Sequence, residues 1–173
     1  MIDCLDDDNP LLRHLSKSWL NQAHQQFQKI LDPIYNILLN NTISIINKDQ
    51  ISIDKEYDTF EIRKSFRRLK NIILNSPVMD FLAKSKIGKG ILSLDNLNKL
   101  CLTDNTYLGL LVGISLRFTQ LKCVDSLSRE FKAENYSVNA SSCEFLEFLL
   151  NKIKDKDLLM KFAIEINKSI ILF

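Results

Sequence analysis

Basic side chains are concentrated in one short segment of the chain, the predicted helix 59–75. Residues four apart in a helix lie on the same face, so these side chains form two adjacent rows on the helix surface. Such a surface suits an acidic protein partner or anionic lipid headgroups, and a solvated face without a partner has the same pattern. No aromatic residue interleaves with the rows, which argues against nucleic acid. The predicted contact residues are Arg63, Lys64, Arg67, Arg68 and Lys70.

The two histidines and the glycine-containing segment 86–90 do not form a catalytic or metal-binding motif. His14 and His24 lie on one predicted helix and point about 80° away from each other. Neither has a second metal ligand one turn away, and neither has an acidic neighbour that would complete a nucleophilic triad. Segment 86–90, KIGKG, lacks the Ser or Thr that follows Gly-Lys in a phosphate-binding loop. The sequence therefore predicts no catalytic residue, no cofactor and no metal, and the protein is not expected to be an enzyme.

The composition of the whole chain indicates a single helical domain. The chain has 173 residues, of which 46% are hydrophobic, with only 4 Gly and 3 Pro. So few turn-forming residues argue against a many-stranded sandwich or barrel, and the excess of Leu and Ile over Val favours helices. A net charge of +2 provides no general attraction to nucleic acid. We predict one helical-repeat domain over 1–173, with a flexible acidic N-terminus over 1–8.

Three short motifs mark the starts of predicted helices. Asn9-Pro10, Asp32-Pro33 and Ser76-Pro77 each place a capping side chain before a proline, which is typical of a first helical turn. Apolar residues recur every three or four positions after Asn9-Pro10 and again after Asp32-Pro33. The first two helices are therefore expected to pack as a hairpin. The predicted core residues of these helices and of helix 59–75 are Leu15, Trp19, Phe27, Ile37, Phe66 and Leu69.

Apolar stripes predict further helices in the second half of the chain. A helical piece covers 94–102, and a long stripe follows over about 105–131. An Asn-rich break at 135–139 precedes two last helices at about 141–154 and 157–172. The resulting seven or eight helices, paired in sequence, indicate an all-α solenoid segment of the armadillo or HEAT type. An irregular helical bundle is the alternative.

The sequence contains no targeting or membrane-spanning pattern. Its first ten residues, MIDCLDDDNP, are acidic, whereas a secretory signal has a basic start and an apolar stretch. The longest nearly apolar stretch, 108–116, is far shorter than the roughly 20 residues that cross a bilayer. We therefore predict a cytoplasmic protein.

Two segments carry short motifs in a recognisable order. Residues 9–39 read NPLLRHLSKSWLNQAHQQFQKILDPIYNILL, and residues 57–73 read YDTFEIRKSFRRLKNII. The order L-R-H-x-x-x-x-W-L, then L-D-P, then Y-D-T resembles the Dopey family of large trafficking proteins. The resemblance covers about the first 75 residues.

The resemblance implies a non-catalytic helical scaffold in vesicle-mediated protein transport, located peripherally on Golgi and endosomal membranes. The partners that it implies are a large scaffold related to Arf exchange factors and a phospholipid flippase. Family members are many times longer than this chain, which would then be a fragment or a divergent short copy. The expected function is protein–protein binding, and the alternative is a membrane-surface module that binds anionic lipid through helix 59–75.

Overall fold

The computed structural model describes residues 3–5, 7–23, 26–48, 59–74, 76–87, 105–119 and 129–171. The prediction of an all-α fold is confirmed within these ranges, where one isolated β-bridge accompanies the helices. The helical piece predicted at 94–102 lies outside the described residues. The helices are a short 3₁₀ helix at Asp3–Leu5, then α1 Pro10–Gln22, α2 Phe27–Lys48, α3 Thr59–Ile73, α4 Ser76–Lys84, α5 Tyr107–Thr119, α6 Arg129–Lys152 and α7 Lys156–Ile171.

Side-chain caps explain where two of these helices begin. The Asn9 side chain accepts a hydrogen bond from the Leu11 amide at 2.9 Å, and Pro10 occupies the first turn of α1, as predicted. At the start of α7, the Asp155 carboxylate accepts from the amides of Asp157 at 2.9 Å and Leu158 at 3.2 Å. These caps satisfy amide groups that a helix leaves unpaired in its first turn.

The boundary between the first two helices was placed wrongly by the Asp32-Pro33 motif. Helix α1 ends at Gln22, and α2 runs through Pro33. A proline inside a helix removes one backbone hydrogen bond at a cost of about 3 kcal/mol. Residues on both sides of Pro33, including Leu31 and Ile34, are buried in the same core, so a continuous helix buries more apolar surface than a turn would.

The Asn-rich segment 135–139 also does not break the chain. It lies inside α6, which contains neither Gly nor Pro, and both Asn135 and Val138 are buried. Asn is only a weak helix former, so burial of the neighbouring apolar residues outweighs its preference. The helix start predicted at 141 is therefore wrong, whereas α7 lies within one residue of the predicted last helix.

Helix α5 forms the centre of the fold. All of its residues except Arg117 and Thr119 are buried, in keeping with a segment that is apolar on every side. It packs against α2, α4, α6 and α7, while α3 packs against α2, α4 and α6. Gly109 and Gly113 are buried on α5, one turn apart, where the absence of a side chain permits close approach of a neighbouring helix.

The predicted core residues have three different environments. Phe27, Phe66 and Leu69 are buried, and Trp19 and Ile37 are half-buried. The prediction for Leu15 is wrong, because this side chain is 54% exposed. Helix α1 turns Ser16 and Leu20 towards the core, and a shift of one residue rotates a helix face by about 100°. The two core residues that the stripe missed are therefore the immediate neighbours of Leu15 and Trp19.

The acidic N-terminus is held against the domain where it is described. Leu5 is only 1% exposed, and its carbonyl oxygen accepts a hydrogen bond from the Asn71 side chain of α3 at 3.3 Å. The 3₁₀ helix Asp3–Leu5 also packs against α1. The expectation of a flexible segment over 1–8 is thus wrong for these residues, because one apolar side chain among the aspartates reaches the core.

The chain on either side of segment 88–104 is paired at the backbone. The Tyr107 amide donates to the Ser85 carbonyl at 3.1 Å, and the Ile87 amide donates to the Asn105 carbonyl at 3.0 Å. These bonds surround the isolated antiparallel bridge between Lys86 and Thr106. The end of α4 and the beginning of α5 are therefore fastened to each other.

Candidate functional site: a basic groove between α3 and α6

Helix α3 presents a row of cations on its outer face. Arg63, Arg67 and Lys70 are all exposed, and spacings of four and three residues place them on one side of the helix. Phe60, one turn earlier on the same side, is 57% exposed. The structure thus brings together three of the five predicted contact residues. The expectation that this face lacks an aromatic residue is wrong, because Phe60 lies beside them.

Arg68 does not belong to this surface. It is 8% exposed, and its guanidinium donates a hydrogen bond to the carboxylate of Asp3, which itself lies largely in solvent. Ser65 and Ile72, which share its side of α3, are buried as well. The prediction that Lys64 and Arg68 form an exposed row is therefore wrong, because this side of α3 faces the core and the N-terminal 3₁₀ helix.

Lys64 occupies an intermediate position. It is half-buried, and its ammonium group lies 3.5 Å from the Glu61 carboxylate and 5.6 Å from the centre of the Phe60 ring. Contacts one turn apart on the same helix neutralise part of its charge. Lys64 therefore contributes less to the outer cationic row than its sequence position suggests.

A groove of about 520 Å³ lies between α3 and α6 beside this row. The rings of Phe66 and Phe145 are 5.1 Å apart and close its inner side. The groove contains three cations and one carboxylate, that of Glu144, which leaves a net charge of +2. Its lining residues are Phe60, Arg63, Phe66, Arg67, Lys70, Ser141, Glu144 and Phe145.

Contacts across the helix pair hold two of the cations in place. The Arg63 guanidinium donates to the Ser137 hydroxyl of α6 at 2.8 Å, and to the Thr59 carbonyl at 3.4 Å. The Lys70 ammonium lies 5.5 Å from the centre of the Phe148 ring, and the Lys152 ammonium lies 5.6 Å from the same ring. Cations that are positioned in advance lose less conformational freedom when an anion binds.

A second cavity of about 370 Å³ opens where α3, α4 and the α6–α7 turn meet. Its inner wall is apolar, and Leu74, which is 49% exposed, lies at the opening. Two lysines and two aspartates line it as well, so its charges balance. The charged lining residues are Asp80, Lys152, Lys154 and Asp155. Sequence reasoning missed Lys152 and Lys154, because only the packing of α6 on α3 brings them to this position.

A buried tyrosine network ties α2 to α5. Tyr35 donates a hydrogen bond from its hydroxyl to the Tyr107 carbonyl, and the Tyr107 hydroxyl donates to the Asp32 carboxylate. The two rings meet edge to face with centres 5.0 Å apart. Burial, together with the nearby Asp32 charge, raises the pKa of both phenols above the ordinary tyrosine value, so both remain neutral donors at neutral pH. Asp32, which the sequence suggested as a helix cap, thus serves as a hydrogen-bond acceptor.

Thiols and potential metal ligands do not form a cluster in the described residues. Within these ranges, no three His, Cys, Asp or Glu side chains come together in an arrangement that could hold a metal ion. Cys4 is half-buried and Cys143 is exposed, and both are free thiols. None of the helices, over their described residues, has the length and apolar character needed to cross a membrane. Among the described residues, the two cavities and the cationic row are features on which a function can be argued.

Comparison with known proteins adds no relative. No protein-family model, curated protein or solved structure matches this chain.

Proposed function

We propose that this chain is a non-catalytic helical module that binds an acidic segment of a partner protein in the basic groove between α3 and α6. The observation that supports the proposal is the row of Arg63, Arg67 and Lys70 along a concave surface with a net charge of +2. Complementary charge accelerates association and selects among partners, and a concave surface can enclose a polypeptide segment. The exposed Phe60 ring adds apolar contact area at one end of the row.

A direct test measures binding of a fluorescent oligoglutamate peptide to the whole chain by anisotropy. The double variant Arg67→Glu, Lys70→Glu is expected to lose binding, because it replaces two of the three cations by anions. The matched control is Lys29→Glu, Lys168→Glu, which changes the net charge equally at exposed lysines on α2 and α7. Binding by the unaltered chain should weaken as salt is added. Equal binding by both double variants would refute the groove as the site.

We further propose vesicle-mediated protein transport at Golgi and endosomal membranes as the cellular setting. This proposal depends on the resemblance of segments 9–39 and 57–73 to the Dopey family. Helix α3 lies within the second of these segments, so the cationic row is part of the region that carries the resemblance. Co-precipitation with an Arf-exchange-factor-related scaffold or a phospholipid flippase, lost in the Arg67→Glu, Lys70→Glu variant, is the expected result. A uniform distribution in cells without enrichment on these membranes would contradict the proposal.

The alternative function is binding of anionic lipid by the same helix, and the exposed Phe60 beside three cations favours it. Aromatic and basic side chains together are typical of proteins that lie at a membrane surface. The burial of Arg68 removes one of the charges on which this alternative depends. Flotation of the chain with vesicles that contain acidic lipid, compared with neutral vesicles, distinguishes the alternatives.

For the architecture, we propose an irregular bundle in preference to a solenoid segment. In a solenoid, each repeat contacts only its neighbours in sequence. Helix α5, in contrast, packs against α2 and α4 before it and against α6 and α7 after it. A central helix surrounded by others supports the bundle alternative.

A further inference from the structure

The basic groove and the second cavity lie on one seam between α3 and α6. Arg63 contacts Ser137 near the start of the seam, and Phe66 contacts Phe145 further along. Lys70 contacts Phe148 further still. Residue numbers increase together on both helices, so α3 and α6 run in the same direction. The seam then reaches the second cavity, which Ile73, Leu74, Lys152 and Ile153 line at the ends of the two helices.

One aromatic ring lies close to a cation of each cavity. The Phe148 ring has Lys70, which lines the basic groove, at 5.5 Å and Lys152, which lines the second cavity, at 5.6 Å. The basic groove and the second cavity therefore approach each other at Phe148.

The two cavities differ in chemistry. The groove has a net charge of +2, whereas the charges around the second cavity balance. Leu74 is exposed at its opening, and the buried side chains of Ile73 and Leu108 form part of its wall. Its volume of about 370 Å³ is within the range of small-ligand sites, which are mainly apolar with a few polar groups. This cavity suits a large apolar side chain.

We propose that the seam recognises an acidic polypeptide segment that carries one large apolar side chain beyond its acidic run. The acidic run lies along Arg63, Arg67 and Lys70, and the apolar side chain enters the cavity between Leu74 and Leu158. This inference rests on the proposed function and adds the composition of the partner segment. A bilayer is the less suitable ligand, because its surface cannot follow a concave seam into an apolar cavity.

The geometry of α3 specifies the length of the segment. Arg63 and Ile73 are separated by about 15 Å along the helix, at a rise of roughly 1.5 Å per residue. An extended peptide covers that distance with about five residues. Suitable probes therefore carry about three glutamates, a spacer of one or two residues and a phenylalanine, with the phenylalanine after the acidic run in one probe and before it in another.

The experiment compares these probes with the same acidic peptide lacking phenylalanine, all at low salt and with the whole chain. At least one phenylalanine probe should bind about tenfold more tightly than the purely acidic peptide, since one apolar side chain leaves water. Ala83→Trp fills the second cavity, and it should remove this gain without changing the binding of the purely acidic peptide. Ala163→Trp at an exposed site on α7 is the matched control. Leu74→Ser is a second test that does not depend on the folding of Ala83→Trp. It changes a side chain that is 49% exposed, and it should reduce the gain several-fold.

Each outcome has a separate meaning. The Arg67→Glu, Lys70→Glu variant should weaken binding of all the peptides. If it does so while the phenylalanine probes bind no better than the purely acidic peptide, the apolar site is refuted and the proposed function remains. If charge reversal changes nothing, both are refuted. Binding to vesicles of acidic lipid with none to any peptide would overturn both in favour of the membrane alternative.

Discussion

Arg67 and Arg68 are adjacent in sequence, carry the same guanidinium group and have opposite surroundings. Arg67 is exposed beside the basic groove, whereas Arg68 is 8% exposed and donates to Asp3. The difference follows from a rotation of about 100° between neighbouring residues of a helix. The inner face of α3 thus belongs to the core, whereas its outer face is exposed beside the groove. Charge in a sequence locates a basic helix, but its rotation about its own axis determines which charges can act.

The largest expected loss of stability comes from substitution of an apolar residue on the inner face of α3. Phe66→Ala should lower the free energy of unfolding by about 3–5 kcal/mol, because a buried ring that contacts Phe118 and Phe145 is replaced by a cavity. Phe60→Ala on the outer face is the matched change and should lower it by less than about 1 kcal/mol. Chemical denaturation monitored by circular dichroism measures both. Equal losses would mean that the two faces do not differ as described.

A smaller loss of stability is expected from substitution of Arg68. Arg68→Ala should cost about 1–2 kcal/mol of unfolding free energy, through loss of a buried side-chain stem and of the hydrogen bond to Asp3. We expect the lower part of this range, because the Asp3 carboxylate lies in solvent, where ion pairs are weak. The same denaturation experiment applies. A variant as stable as the unaltered chain would contradict the inner location of Arg68.

The tyrosine network extends the comparison to buried polar groups outside α3. Tyr35→Phe should lower the free energy of unfolding by about 1 kcal/mol, since it removes one hydrogen bond to the Tyr107 carbonyl.

The raised pKa of both phenols also predicts that stability depends on pH. Above pH ~10 the unfolded chain releases phenol protons that the folded chain retains, so stability falls with rising pH, by up to about 1.4 kcal/mol per pH unit for each tyrosine.

Thermal unfolding between neutral pH and pH ~11 tests this dependence. The midpoint temperature should fall less steeply with rising pH in Tyr35→Phe than in the unaltered chain, because one of the two tyrosines with a raised pKa is gone. The contribution is complete below the ordinary tyrosine pKa and is lost as the pH rises through the folded-state value. Parallel curves for the two proteins would show that Tyr35 titrates normally.

The smallest effect completes the comparison. Arg67→Ala should change the free energy of unfolding by no more than about 0.5 kcal/mol, in keeping with an exposed position. Its oligoglutamate affinity should nevertheless fall several-fold, since one of three groove cations is removed. Arg68→Ala should lose stability but, at a temperature where it is folded, should keep its oligoglutamate affinity. Loss of peptide binding in Arg68→Ala alone would move the binding surface to the other side of α3.

Local signals predicted the helices well where caps and apolar stripes agreed. The start of α3 at Thr59 and of α4 at Ser76 follow from the sequence, because turn-forming residues precede a clear apolar period. The Asp32-Pro33 motif gave a wrong helix start. A proline in the first turn and a proline inside a helix have the same local sequence pattern when the core is unknown. Tertiary burial decides between them.

The candidate site was only partly predictable for a similar reason. The cationic segment of α3 is evident in the sequence, whereas the contact of Arg68 with Asp3 joins residues that are distant along the chain. Lys152 reaches the same seam only because α6 packs on α3. Contacts between distant segments carry no short-range sequence signal, so the groove and the second cavity required the structure.

The paired backbone around segment 88–104 has a consequence for protein engineering. Since Ser85 and Tyr107 are held together by hydrogen bonds of the flanking chain, the ends of any sequence inserted between them already lie close to each other. Closure of a longer loop costs only about 0.6 kcal/mol for each doubling of its length. The bridge between Lys86 and Thr106 thus holds the end of α4 beside the beginning of α5, and a longer connection between them adds little closure cost.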